Sequence, residues 1–436
     1  MPPLTYIRFL IPKWPLFMLA SVISILQLEN SPDLSSYDTK DLFDSYDYVI
    51  VGAGTAGCVL ANRLSADHHR TVLLIEAGGV ENAATDIPLF ALLHFHGEFD
   101  WDYRTEPQQH GCLGMKEHRC DWARGKALGG SSVTNFQLYV RGNKRDFDYW
   151  EQRHGAKGWS YKDVLPHFKK FESYKVPNAN SELQPAFLKA GEELGFKVVD
   201  YNAEDQTGPF SLPAAIEATA FMNTSYGSRE YPDFQLYLLS VSGASVEGER
   251  FITDLGVRQD IYDAYFKPKR GSSAFNIGIV MNRLKSRGYI KLRSKNYHDT
   301  PILDPRYYSH PDDPKMAAQA ISQIVNLMKT KALAALGTKL WDVPLPPCKA
   351  HSMWSNEYNE CMAKHLSPTS WHQCCTNPMG NGNNAVVDPR LRVRGGITGL
   401  RVVDASVMPD IVTGNPNAAV YMIGEKGASM ILEDNK

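Results

Sequence analysis

The run Gly52-Ala53-Gly54-Thr55-Ala56-Gly57 follows directly on the apolar, β-rich stretch Tyr46–Val51. Glycines at this G-x-G-x-x-G spacing allow a tight turn and let the backbone approach a pyrophosphate, which the N-terminus of a following helix attracts. Glu76 ends the next apolar run, Thr71–Ile75, where a carboxylate can take up a ribose hydroxyl pair. Strand, helix, strand and acid in this order predict dinucleotide binding, by FAD or by NAD. The alternative is a tight strand–helix turn with no ligand.

A second cluster, Arg124-Gly125-Lys126-Ala127-Leu128-Gly129-Gly130-Ser131-Ser132-Val133-Thr134-Asn135, can bring backbone N–H groups close to an anion or an aromatic ring system. Taken alone it is equally a flexible surface loop. The third cluster begins at His372 and runs through Met379-Gly380, Asp404-Ala405 and Gly414-Asn415-Pro416-Asn417. Cys374 and Cys375 adjoin His372 without a second Cys/His pair at zinc spacing, so no metal is expected. Cys112 with Cys120, and Cys348 with Cys361, bracket short loops that local disulfides can close; Cys58 is expected as a small buried hydrophobe.

These clusters must be held by ordinary folded elements. The region from Tyr46 to Glu76 has the size of a βαβ unit. Helical spacing recurs over Tyr161–Ser173 and Glu182–Leu194, and alternating runs between Phe234 and Leu292 predict an antiparallel sheet. Asp312-Asp313-Pro314 predicts a carboxylate-capped helix with Met316, Ala320, Ile321, Ile324 and Leu327 on its apolar face. A strand over Leu400–Val403 and a last helix over Ala418–Leu432 are expected near the end.

At 436 residues the chain has room for about two or three domains. Its hydrophobic content of 43% and charged content of 22% exclude a disordered or multi-span membrane chain. With a formal charge of −2 there is no global field to hold nucleic acid or anionic lipid. Residues 1–27, basic at Arg8 and Lys13 and apolar from Trp14 to Leu26, have the pattern of a secretory signal, and a secreted location follows; an uncleaved apolar arm is the alternative.

On all three clusters the chain resembles the glucose–methanol–choline (GMC) oxidoreductases, most of all their insect glucose-dehydrogenase-like branch. The resemblance runs from about Tyr46 to Ile431. It implies α/β and α+β architecture: a discontinuous Rossmann-like FAD-binding domain (46–150 and 366–436) and an antiparallel-sheet substrate domain (151–365). It also implies non-covalent FAD, held by Gly52, Gly54, Thr55, Ala56, Gly57, Glu76, Arg124, Gly129, Gly130, Ser131, Asn135, Asp404, Ala405 and Asn415. His372 falls on the family's catalytic histidine, a general base or alkoxide holder that should titrate near neutrality, and Asn415 on its second catalytic position. The implied partners are an alcohol or sugar and an electron acceptor such as oxygen or a quinone.

Two departures stand out. His372-Gln373-Cys374-Cys375-Thr376 carries Gln373 for the family's proline and Cys375 for a glycine, where a positive φ would cost a side chain about 1–2 kcal/mol. The family's second signature is absent, and text from two distant places meets at Gly208/Pro209, which is the mark of an internal deletion. The alternative function is therefore a catalytically inactive, truncated GMC-type product with impaired FAD binding.

Overall fold

The structure, a computed structural model, describes residues 38, 41–82, 85–86, 91, 94–172, 183–196, 216–245 and 248–435. The expected leader and the Gly208/Pro209 junction lie outside the described residues. The N-terminal half runs β1 (Tyr48–Val51), α1 (Thr55–Leu64), β2 (Val72–Ile75), β3 (Tyr103–Arg104), β4 (Asp121–Trp122), α2 (Lys144–His154), α3 (Tyr161–Lys169) and α4 (Leu183–Glu193). The rest runs β5 (Ile216–Met222), β6 (Phe234–Leu239), β7 (Asn276–Met281), β8 (Tyr289–Lys291), β9 (Ile302–Asp304), α5 (Asp312–Leu327), α6 (Asn356–His365) and α7 (Asn417–Asp434), with shorter helical turns between.

The expected βαβ unit is present. Strands β1 and β2 pair in parallel from Tyr48↔Val72 to Val51↔Ile75. Gly52 turns the chain at φ +94°, and a Cβ on Gly57 would lie 1.9 Å from the Gly52 carbonyl oxygen, so α1 leaves β1 at an angle only glycine permits. On α1 rests α7, the last helix. Ile50, Leu60, Leu64 and Ala428 form their shared core. The helices touch at Gly424, where a Cβ would meet Val59 at 3.1 Å and Ala56 at 3.2 Å. Glu425, 1% exposed, takes Arg63 at 2.6 Å and Lys170 at 2.9 Å, which holds its carboxylate charged despite burial.

A larger core joins α2 and α3 to the C-terminal segments: Phe147, Trp150, Trp159 and Phe168 pack with Met379, Val387, Met422 and Ile423. The two indoles donate to the carbonyls of Asp410 and Pro389 at 3.0 and 2.8 Å. The antiparallel sheet β5-β6-β7 packs its Ala218, Leu236 and Leu238 on Phe187 of α4 and on Ala320 and Leu327 of α5. Disulfides Cys112–Cys120 and Cys348–Cys361 form as expected inside another buried cluster, each adding about 2–3 kcal/mol by restricting the unfolded chain.

Several expectations are corrected. Leu400–Val403 is not a strand: no described strand runs beside it, and one bridge, Arg392↔Arg401, ties it down. Helix α5 starts on Pro311 without a side-chain cap. Its buried Asp313 carboxylate instead accepts the N–H groups of Lys285 and Ser286, both at 2.8 Å, and anchors the loop after β7. Strand β8 pairs with β9 rather than with the three-stranded sheet. Cys58 is half-buried, its thiol donating to the Ala53 carbonyl at 3.0 Å. The parallel sheet has two strands among the described residues, and Val49, Val51 and Ile75 are 55%, 81% and 46% exposed on it.

Gly424→Val will drive α7 off α1 and lower stability by about 1–3 kcal/mol. Gly191→Ala, in α4 where the nearest neighbouring atom lies 4.0 Å away, will raise it by about 0.5–1 kcal/mol. Urea midpoints at unchanged m-value check both.

Candidate active site

The site is assembled where the glycine turn, the Arg124–Asn135 loop and the segment entering α7 meet. The Thr55 hydroxyl contacts Ser132 Oγ at 3.0 Å and donates to Asn417 Oδ1 at 2.9 Å. Gly129 N–H donates to the Ala53 carbonyl at 2.7 Å, and Leu128 N–H to that of Gly79 at 2.8 Å. Contact is so close that a Cβ on Gly130 would stand 2.7 Å from Gly54 Cα. Ser131 Oγ accepts the Gly125 N–H at 3.1 Å, and Asn135 Oδ1 accepts that of Gln137 at 2.7 Å. Ala56 is buried beneath the turn.

One stretch of the turn is left open. No atom lies within 4 Å of where a Cβ on Gly52 or Gly54 would be, so the backbone there is bare for a ligand to approach the start of α1. Glu76 holds the rim: its Oε2 accepts Ala53 N–H and its Oε1 accepts Gly78 N–H, both at 2.7 Å. Each oxygen keeps a lone pair for a ribose hydroxyl. These features fit the ADP half of a dinucleotide.

His372 lines a cleft of about 2290 Å³ together with Arg124, Gln373, Cys374, Cys375, Asp404 and Ala405. Asn415 Nδ2 lies 3.2 Å from His372 Nε2, and Asn415 Oδ1 accepts Tyr237 Oη–H at 3.1 Å. The amide thus presents its N–H₂ to the imidazole, so Nε2 carries the lone pair and Nδ1–H points to Ser370 Oγ at 3.3 Å. Asn415 stands two residues before Asn417, so imidazole and glycine turn share one short segment. Asp404 accepts the Ser406 N–H at 2.8 Å, and the Ala405 carbonyl accepts that of Cys375 at 3.3 Å.

Electrostatics overturn one expectation. Burial and then the Arg124 charge push the His372 pKa down from 6.5 to about 3, so the imidazole is neutral in the resting site rather than poised near neutrality. Arg124, half-buried and lowered to about 10 by desolvation, bonds Gln373 Oε1. Gln373 therefore holds the guanidinium beside the histidine, a role open to neither proline nor glycine. Cys375 does adopt the left-handed conformation, φ +76°, and Cys374 and Cys375 are joined as a disulfide.

Tyr237, Ser370 and Trp371 were not singled out by sequence reasoning. Trp371, at φ +58°, packs on Phe95 and Phe136 and donates its indole N–H to the Asp121 carbonyl at 3.1 Å, which locks the turn before His372. Its place beside the histidine was the one available signal. Tyr237 reaches the site through sheet pairing, which has no local sequence mark.

Family models of the GMC oxidoreductase, N-terminal and C-terminal parts, match residues 46–218 and 285–424. The chain is similar to a glucose dehydrogenase [FAD, quinone] of Drosophila pseudoobscura pseudoobscura, 28% identical over 542 residues, covering 88% of this chain and 86% of that one. An oxygen-dependent choline dehydrogenase of Klebsiella pneumoniae is 27% identical, over 88% of this chain and 96% of its own. Since the first alignment is longer than the 436-residue chain, the relative has more than a hundred residues without a counterpart here. Pyridoxine 4-oxidase from Mesorbium loti shares the fold at TM-score 0.75 and 22% identity, over 89% of this chain and 99% of its own. A formate oxidase of Aspergillus oryzae does so at TM-score 0.69 and 17% identity, over 90% and 99%. With both family models in register and the three clusters they span brought together, the chain belongs to the GMC oxidoreductase family.

Proposed function

We propose that the protein is an FAD-dependent oxidoreductase acting on the CH–OH group of an alcohol or sugar, with oxygen or a quinone-like acceptor. The observation that carries this reading is the 3.2 Å pair of Asn415 with His372, which lines the cleft, tied through Asn417 and Thr55 to an open glycine turn. FAD is preferred to NAD because the second and third clusters, which a glycine turn alone does not require, converge with it. The printed name of the insect relative, with FAD and quinone, agrees. We place the FAD non-covalently, its ADP half on Gly52–Gly57 and Glu76 and its ring system near Gly129–Asn135 and Asp404-Ala405.

When bound, FAD supplies a hydride acceptor for the carbinol carbon. The chain's own residues do the rest. A substrate hydroxyl takes over the Nε2 lone pair of His372 that the Asn415 Nδ2–H group occupies in the resting site, and the freed Asn415 N–H then donates to the substrate oxygen. Arg124 opposes an imidazolium, so His372 accepts a hydrogen bond at first rather than the proton. Negative charge growing on the substrate oxygen offsets the guanidinium, and the basicity of Nε2 rises as the reaction needs it. Secretion is part of the proposal: three disulfides suit an oxidising compartment, as does the apolar leader.

A second reading, a catalytically inactive product with impaired FAD binding, is favoured by the two-stranded sheet with Val51 81% exposed and by the residues missing relative to the homologue. Colour separates the two. Desalted active protein will keep the visible absorption of oxidised flavin and bleach with an alcohol or sugar under anaerobic conditions. Protein that stays colourless after incubation with FAD selects the second reading. His372→Ala will keep the colour and lose the bleaching.

The low pKa of His372, and that of His167, lowered to about 4 by burial and by Lys426 and Lys170, also link stability to pH. Above pH 6.5 both are neutral folded and unfolded. As pH falls below 6.5 the unfolded chain takes up protons that the native state refuses, so stability declines toward pH 4. His372→Asn and His167→Asn will each reduce that slope by up to one proton, measured from urea midpoints between pH 4.5 and 7 (about one proton being the single-site limit).

A further inference from the structure

The Cys374–Cys375 disulfide has no role as a staple. Cross-links stabilise by removing loop-closure entropy from the unfolded chain, and that gain grows with the loop enclosed. Cys112–Cys120 and Cys348–Cys361 span separations of 8 and 13 residues, whereas Cys374 and Cys375 are neighbours. Location differs as well. Cys112, Cys120 and Cys348 are at most 1% exposed, and none of the four cysteines in those two bonds lines the cleft. Cys374 and Cys375 are both half-buried and both line it, beside His372. Cys361 is half-buried too, but its bond lies off the cleft, and the disulfide that closes no loop is the one facing the space a small molecule would enter.

Two further features suit sulfur chemistry there. Arg124, bonded to the side chain of the residue preceding Cys374, brings a permanent positive charge that favours a thiolate leaving group. Cys375 is kept at φ +76°, a conformation costly for a residue with a Cβ, and such outliers cluster at functional sites.

We propose that Cys374–Cys375 is a thiol–disulfide exchange site on the cleft wall, whose substrate is a small thiol or dithiol. A thiolate of an incoming dithiol attacks one cysteine sulfur. The Cys374–Cys375 bond breaks, a mixed disulfide forms, and the other cysteine leaves as a thiolate that takes up a proton. The second thiol of the reductant then attacks the mixed disulfide and frees the first cysteine. Two electrons and two protons have passed to the cysteine pair, and the reductant departs as a disulfide. This inference is independent of the FAD reading, because neither reactant is the cofactor.

Native full-length protein is titrated with dithiothreitol in glutathione buffers, alkylated and digested, and the modified cysteines are located by mass spectrometry. The peptide holding Cys374 and Cys375 is expected to gain two alkyl groups at a reductant level at least tenfold lower than the other two disulfides need. Oxidised glutathione is expected to restore the bond. In Cys375→Gly, Cys374 has no resolving partner and is expected to keep a glutathione adduct that the wild type does not hold. Reduction of all three disulfides together, a pair that stays as free thiols in oxidised glutathione, or a Cys374 that takes no adduct in the variant overturns the proposal. If the variant does not fold, the wild-type titration decides.

Discussion

At the first turn of α1 the Thr55 hydroxyl contacts Ser132 at 3.0 Å and Asn417 at 2.9 Å, drawing segments up to 362 residues apart to one point. Such a hydroxyl can be both donor and acceptor, which suits a junction between two loops. Around it no side chain fits at Gly57 or Gly130 without displacing backbone. The open backbone at Gly54 and the paired side chains at Asn415 and His372 are two ends of this one junction. A small shift of α7 on α1 would therefore misplace both ends together, which gives the Gly424 contact and the Glu425 ion pair a bearing on chemistry as well as on stability.

The charge balance near His372 shows which of two opposed effects prevails. A neighbouring carboxylate would have raised its basicity. Instead the nearby fixed charge is the half-buried Arg124, and both desolvation and repulsion act in the same direction. Gln373 explains how a guanidinium is tolerated there, since its side-chain oxygen accepts from Arg124. Gln373 thereby ties the guanidinium to the residue next to the imidazole.

What was legible in the sequence followed local rules. The βαβ unit, the α5 face of Met316, Ala320, Ile321 and Leu327 and the two loop disulfides all depend on spacing or on a single residue type, whereas the positive φ at Cys375 was suggested only by the glycine that the family carries there. Features set by distant partners were not legible. Leu400–Val403 has strand composition, yet its described pairing is a single antiparallel bridge to the Leu391–Val393 segment, too short to make a strand. Tyr237 meets Asn415 only because β6 is the middle strand of its sheet. The Asp313 carboxylate had a helix cap within reach and was taken by backbone donors from another loop. Propensity proposed each of these, and tertiary contacts decided them.

The sequence separation of 362 from Thr55 to Asn417 has a consequence for biogenesis. At the usual pace of synthesis, about 5–20 residues per second, the nucleotide-binding turn leaves the ribosome tens of seconds before the helix that covers it. Throughout that interval Leu60 and Leu64 lack their partner Ala428. A nascent chain in this state is a natural client for holding chaperones, and it can complete its N-terminal unit only once that helix has been made.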